Sequence, residues 1–315
     1  MTQSDVIGTL RRMKFGTVAQ WNAAGVTRGY FRTLVLSGEL VQIRHGVYVT
    51  RAAVAAAGRR PELGHGLRAM AAILVTSGLA TASHESAARI HGLDLLNAPP
   101  EEFVTLTRPP GSPTRRGPGL RLVAASLPAS DVTRHHGLPV TTAARTVIDL
   151  ARTLPFIDGV VVTDSALHLG IVKKAELAAM LDRCARWRGV DRARRVVEFG
   201  NGLAESVFES CARVIFDRNG LEPPELQVHM ETAEGVYRVD FYWRKYWTIA
   251  EADGLRKYEE TAKAIGQLRR DQLLRETGRH VVHFTWRELF YSEALLMERL
   301  RETFAAAPPP PARRR

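Results

Sequence analysis

Residues 15–49 change hydrophobic period abruptly. Phe15, Val18, Ala19 and Trp21 recur at helical spacing up to about residue 24, and Gly25 breaks the pattern. Thr27 then offers an N-cap to a second helix reaching about Ser37, with Tyr30, Phe31, Leu34 and Val35 as its apolar stripe and Arg28 and Arg32 off that stripe. Gly38 closes it, and two short β-like runs follow at 40–43 and 46–49, joined through Arg44, His45 and Gly46. Helix, tight turn, helix and small hairpin is the layout of a winged helix-turn-helix. In that layout the second helix enters the major groove of DNA and the hairpin tip lies against phosphates.

The chain has 315 residues, more than one core usually serves, so several domains are expected. Its formal net charge of +11 favours a polyanionic partner, nucleic acid or an acidic membrane surface. The two cysteines, Cys184 and Cys211, can build neither a disulfide framework nor a cysteine metal site, and they suit a reducing interior. No basic stretch followed by an apolar one opens the sequence, and no apolar run reaches spanning length. A cytoplasmic protein with no membrane role is the expectation.

The segment from Gly25 through Ser37, Gly38 and Glu39 to Arg44, His45, Gly46 and Tyr48 resembles the N-terminal domain of AbiEi-family antitoxins of type IV toxin–antitoxin systems. That resemblance implies that Thr27, Arg28, Tyr30, Arg32, Arg44 and His45 face double-stranded DNA. For Arg28, Arg32 and Arg44 contact outweighs a merely solvated face; Tyr30 and Thr27 stand between contact and local structure. The VTTAARTVIDL run at 140–150, within a block at 84–154, resembles the region that follows the winged helix in AbiEi-like proteins. A cognate toxin is the implied partner, linked functionally rather than by direct contact.

The middle region reads as mixed α/β. Helices are expected at 63–77, 84–93 and 143–154, and strands at 103–107, 120–123 and 137–142. Arg145 and Asp149 form a routine helix pair at i and i+4. The Pro- and Gly-rich segment 108–119 carries three arginines and reads as a solvated loop. The arginines between 183 and 195 make a basic helix face, and the scattered histidines make no metal site.

In the last region a helix is expected at 203–218, with Glu205 and Glu209 one turn apart on one face. Strands follow at 226–229, 237–243, 247–253 and 279–287. A three-residue turn at 244–246 pairs Trp243 with Trp247 and sets Asp240 opposite Ala250; a one-residue bulge sets it opposite Glu251 instead. In the second register Asp240, Glu251 and Asp253 converge. Carboxylates so placed repel unless a cation neutralises them, and oxygen ligands suit Mg²⁺ or Mn²⁺. Lys257 would reach back to a scissile phosphate.

This order, with ESVFES at 205–210, RVDF at 238–241, EADG at 251–254 with Lys257, and VVHFTW at 281–286, resembles the PD-(D/E)XK nuclease superfamily near its very-short-patch-repair branch. The resemblance implies Asp240 and Glu251 as metal ligands completed by Glu205 or Glu209. The superfamily lysine two places after the second acid is Asp253 here, which becomes an extra ligand with Lys257 replacing the lost cation, or else marks a fold that kept DNA binding and lost cleavage. The expected fold is α+β and multidomain: winged helix-turn-helix at 1–55, mixed α/β at 60–198, a PD-(D/E)XK-like α/β domain at 203–300, and a disordered Pro/Arg tail at 305–315. Two functions compete: a metal-dependent DNA endonuclease, and an autorepressor of antitoxin type with an inactive nuclease-like domain.

Overall fold

The computed structural model describes residues 13–76, 79–253 and 261–306. They form a mixed α+β protein with three sheets, divided into two compact units. One holds the residues up to 162 together with 171–198; the other holds 163–170 and the residues from 199 onward. Among the described residues no helix is long and apolar enough to cross a membrane.

The first unit begins with β1 (Phe15–Thr17), α1 (Val18–Ala23), α2 (Arg28–Leu36), β2 (Leu40–Arg44) and β3 (Val47–Thr50). The strands form one sheet in the order β1-β3-β2. Phe15, expected in a helix, instead pairs with Val49, and Thr17 pairs with Val47. Pairing with β3 supplies these backbone groups with partners that an unattached first helical turn lacks. The helix starts at Val18 through a capping box: the Thr17 hydroxyl accepts the Gln20 N–H at 3.2 Å and the Gln20 side chain accepts the Thr17 N–H at 2.8 Å. Trp21, Val26, Phe31, Leu34 and Leu40 are the core beneath the two helices. Burial of each large side chain there stabilises by about 1.5–3 kcal/mol.

The same unit continues through α3 (Arg51–Ala57), α4 (Pro61–Val75), β4 (Thr81–Ala82), α5 (His84–Ile90), β5 (Val104–Arg108), β6 (Arg115–Gly117), β7 (Leu120–Ala124), β8 (Val132–His135), β9 (Leu138–Thr141) and α6 (Ala143–Thr153). Six strands make one sheet, ordered β6-β7-β5-β4-β9-β8. The segment expected to be loop contributes β6, whose three residues pair with β7. Ile90, Leu106 and Val140 are among the residues closing the core over this sheet. Helices α7 (Phe156–His168), α8 (Lys174–Arg183) and α9 (Val190–Phe199) follow, with residues 163–168 of α7 and Phe199 counted in the second unit. The Arg145–Asp149 pair is no surface feature: both side chains are buried, and Arg145 also binds Asp131 at 2.8 Å.

The second unit contains α10 (Val207–Arg218), β10 (Glu225–Thr232), β11 (Gly235–Trp243), β12 (Thr248–Asp253), α11 (Thr261–Glu276), β13 (His280–Thr285), α12 (Trp286–Tyr291) and α13 (Glu293–Ala305). Its sheet runs β10-β11-β12-β13, antiparallel except for the parallel β12–β13 pair. That pair needs a crossover, and α11 lies in the connection. Phe216 of α10 meets Phe241, Trp243 and Phe284 with ring centroids 5.3–5.8 Å apart. Two expected boundaries move. Helix α10 starts after Ser206, whose hydroxyl accepts the Glu209 N–H, so Glu205 precedes the helix instead of standing one turn below Glu209. Trp286 opens a helix instead of extending the last strand, because Thr285 and Glu288 form a capping box.

Candidate functional site

Two groups of residues carry chemistry. The first lies on α2 and the β2–β3 turn. Burial of Phe31 and Leu34 fixes the helix's rotation and leaves Arg28 and Arg32, one turn apart, exposed. The helix contains no acidic residue. Thr27 is exposed, but its hydroxyl caps the helix by accepting the Tyr30 N–H at 3.5 Å. Tyr30 is half-buried and packs against the core of Trp21 and its neighbours, so much of its ring serves packing. Arg44 ends β2 beside a register shift after Gln42, and burial pushes its guanidinium below the ordinary arginine value. His45 is exposed at the turn. Exposed guanidinium groups at this spacing can meet phosphate oxygens or base edges.

The second group is the acids of the second unit. The β11–β12 pairs are Phe241–Ala250, Tyr242–Ile249 and Trp243–Thr248. This is the shifted register, reached because Trp247 adopts a left-handed conformation and joins the turn. Asp240 follows next in line, where its Oδ2 accepts the Ala252 N–H at 2.9 Å. Glu209 is buried and accepts from the Glu205 N–H at 3.0 Å, the Ser206 hydroxyl at 2.9 Å and Gln227 Nε2 at 2.9 Å. Burial first, and then the nearby Asp240 charge, push its carboxyl above the ordinary glutamate value.

The remaining acids meet protein cations. Arg238 binds Glu205 at 2.6 Å, and Arg270 binds the buried Glu251 at 2.8 Å. His283 bridges Asp253 and Asp271, at 3.0 and 2.7 Å. The adjoining Asp253 carboxylate, aided by that of Asp271 against the cost of burial, raises the pKa of His283. Lys257 lies outside the described residues.

A shared Mg²⁺ or Mn²⁺ requires several of Glu205, Glu209, Asp240, Glu251 and Asp253 to turn oxygens toward one point. Among the described residues no three His, Cys, Asp or Glu side chains are grouped to hold a metal ion. The donor set does not fit one: arginine guanidinium groups engage Glu205 and Glu251, and a backbone N–H engages Asp240. Sequence reasoning missed Gln227, Arg270 and His283 as partners of these acids. Gln227 has φ of 52° and aims its amide at Glu209, which no local pattern announces. The capping interaction of Glu209 was readable, since Ser206 and Glu209 stand three apart before an apolar run.

Residues 78–199 match the family model described as the AbiEi antitoxin C-terminal domain. The matched stretch ends before the acids at 205–253. Two proteins of Mycobacterium tuberculosis are similar over more of the chain. They are the uncharacterized protein MT2308 of strain CDC 1551 / Oshkosh and the uncharacterized protein Rv2248 of strain ATCC 25618 / H37Rv. Each is 28% identical over 259 residues, covering 82% of this chain and 89% of the relative.

Proposed function

We propose that the chain is a double-stranded-DNA-binding repressor of the AbiEi antitoxin kind, with α1, α2 and the β2–β3 hairpin acting as a winged helix-turn-helix. The observation that carries this reading is the acid-free helix α2. It seats Phe31 and Leu34 in the core and offers Arg28 and Arg32 to solvent, with Arg44 and His45 at the hairpin turn. The antitoxin part is supported by the family match at 78–199, and it implies a toxin served by the same regulation. The second unit is proposed as a nuclease-like fold whose acids serve internal ion pairs and which does not cut DNA.

The test is duplex DNA binding followed by fluorescence anisotropy across a salt series. Affinity should fall steeply with salt. Replacing Arg28, Arg32 and Arg44 together by Ala should flatten the log–log slope by up to about 3, roughly 0.9 for each phosphate that the variant leaves unneutralised. Affinity and slope unchanged in the triple variant would overturn the reading.

A further inference from the structure

Within the first unit lies a cavity of about 860 Å³. Its walls come from Phe15 on β1, helices α3 and α4, and the β8–β9 turn. Binding sites for organic molecules span roughly 300–1,000 Å³ and are mostly apolar with a few polar groups, and this cavity meets both conditions. The apolar lining includes Ala53, Ala56, Leu63, Leu67, Met70 and Leu138. The space exists because α3, with the sequence RAAVAAA, turns only methyl groups toward it where a seated helix ordinarily presents leucine-sized side chains. Ala52 and Ala56 line the cavity and are exposed to solvent.

The charged groups on the lining are Glu39, Glu62 and Lys14, joined by the imidazoles of His135 and His136. Glu62 sits in the first turn of α4, and Glu39 stands where its own carbonyl accepts the Arg51 N–H at 2.8 Å. Among the described residues no arginine or lysine forms an ion pair with either carboxylate, in contrast to the acids of the second unit. The lining thus holds two acidic residues against one lysine. A carboxylate beside an apolar, low-dielectric wall attracts a cation more strongly than one in open water.

We propose that this cavity binds an organic cation with a large apolar body. The apolar walls take the body, and Glu39 and Glu62 select the charge. Neither the DNA-binding reading nor the acids of the second unit enters this inference.

Two ions of nearly equal size and opposite charge, tetraphenylphosphonium and tetraphenylborate, test it on the full chain by isothermal titration calorimetry at about pH 8, above the ordinary histidine range. Tetraphenylphosphonium should bind with one-to-one stoichiometry and at least about tenfold more tightly than the borate, a difference of about 1.4 kcal/mol. Glu39→Gln with Glu62→Gln should bring the two ions within about threefold of each other, and Lys14→Met should widen the gap. Ala56→Trp, at an exposed position where the new ring occupies the cavity, should abolish binding of both while leaving the far-ultraviolet spectrum unchanged. Absence of binding, preference for the borate, indifference to the paired Gln substitutions, or undiminished binding to the Trp variant would each overturn the proposal.

Discussion

Arg145 is fully buried, and its guanidinium is held on every side. Its Nε donates to Asp149 at 2.8 Å, its Nη1 donates to Asp131 at 2.8 Å, and its plane lies 4.4 Å from the Trp187 ring centroid. Arg183 and Arg152 add further bonds to the same two acids. Removing one member of such a cluster strands opposite charges in low dielectric. Arg145→Met should therefore cost about 3–5 kcal/mol in urea denaturation, whereas Arg244→Ala, which opens the exposed pair with Glu225, should cost less than about 1 kcal/mol. The i, i+4 spacing of Arg145 and Asp149 is legible in the sequence. Their burial is not, because it depends on Asp131, fourteen positions away.

His65 shows the same dependence on distant partners. Burial first, then the Arg89 charge, lower its pKa to about 4. Its Nδ1 lies 3.2 Å from the Glu101 carbonyl and its Nε2 lies 2.9 Å from the Ser86 hydroxyl, whose oxygen already accepts the Thr105 N–H. A neutral ring that donates from Nδ1 and accepts at Nε2 satisfies all of these groups. The unfolded chain protonates this histidine near its ordinary value of about 6.5, above the folded value, so the unfolded state binds the extra proton between the two. Stability from this group is complete above about pH 6.5 and is lost as pH falls toward 4, by at most about 1.4 kcal/mol per pH unit. His65→Gln should flatten the stability profile across that window. An unchanged slope in urea denaturation at several pH values would contradict this account.

At the scale of elements, helices with a strong apolar period are legible, as α2 and α6 show: Phe31 and Leu34 in one, Val147, Ile148 and Leu150 in the other, are buried as their spacing requires. Boundaries are less legible wherever a strand elsewhere in the chain decides them. Phe15 takes a strand conformation because Val49 is there to pair with it. The same holds for backbone turns. Gly189, between α8 and α9, has φ of 83°, and a Cβ there would stand 2.3 Å from the Arg152 carbonyl oxygen, a backbone atom. Gly46 in the β2–β3 turn has φ of 75° with open space around it. Both glycines avoid left-handed strain, but only Gly189 also avoids a collision. Gly189→Ala should cost at least about 2 kcal/mol and Gly46→Ala about 1 kcal/mol, a difference that thermal unfolding of the two variants can read.

At the scale of the whole molecule, the net charge of +11 suits DNA whichever function the second unit has, so the acids decide between blocking and cutting. Sequence alternation brought Asp240, Glu251 and Asp253 near one another in only one of two possible registers, the one β11 and β12 adopt. It could not supply Arg270 and His283, which come from α11 and β13 and meet Glu251 and Asp253. A cation is needed among these carboxylates, and in this fold side chains provide much of it. Metal should then add little. A ligand that binds only the folded chain at one hundred times its dissociation constant stabilises it by about 2.7 kcal/mol. Millimolar MgCl₂ or MnCl₂ should instead shift the melting temperature by less than about 1 °C, well below what 2.7 kcal/mol produces even in a large domain. Supercoiled plasmid should stay uncut with either ion. Glu251→Gln should lower the melting temperature by weakening the bond to Arg270, while duplex DNA affinity should stay within about twofold, since the proposed DNA contacts lie on α2 and the β2–β3 hairpin. A metal-dependent rise in melting temperature, together with plasmid nicking abolished in Asp240→Asn, would instead assign these acids to a catalytic metal and make the protein an endonuclease.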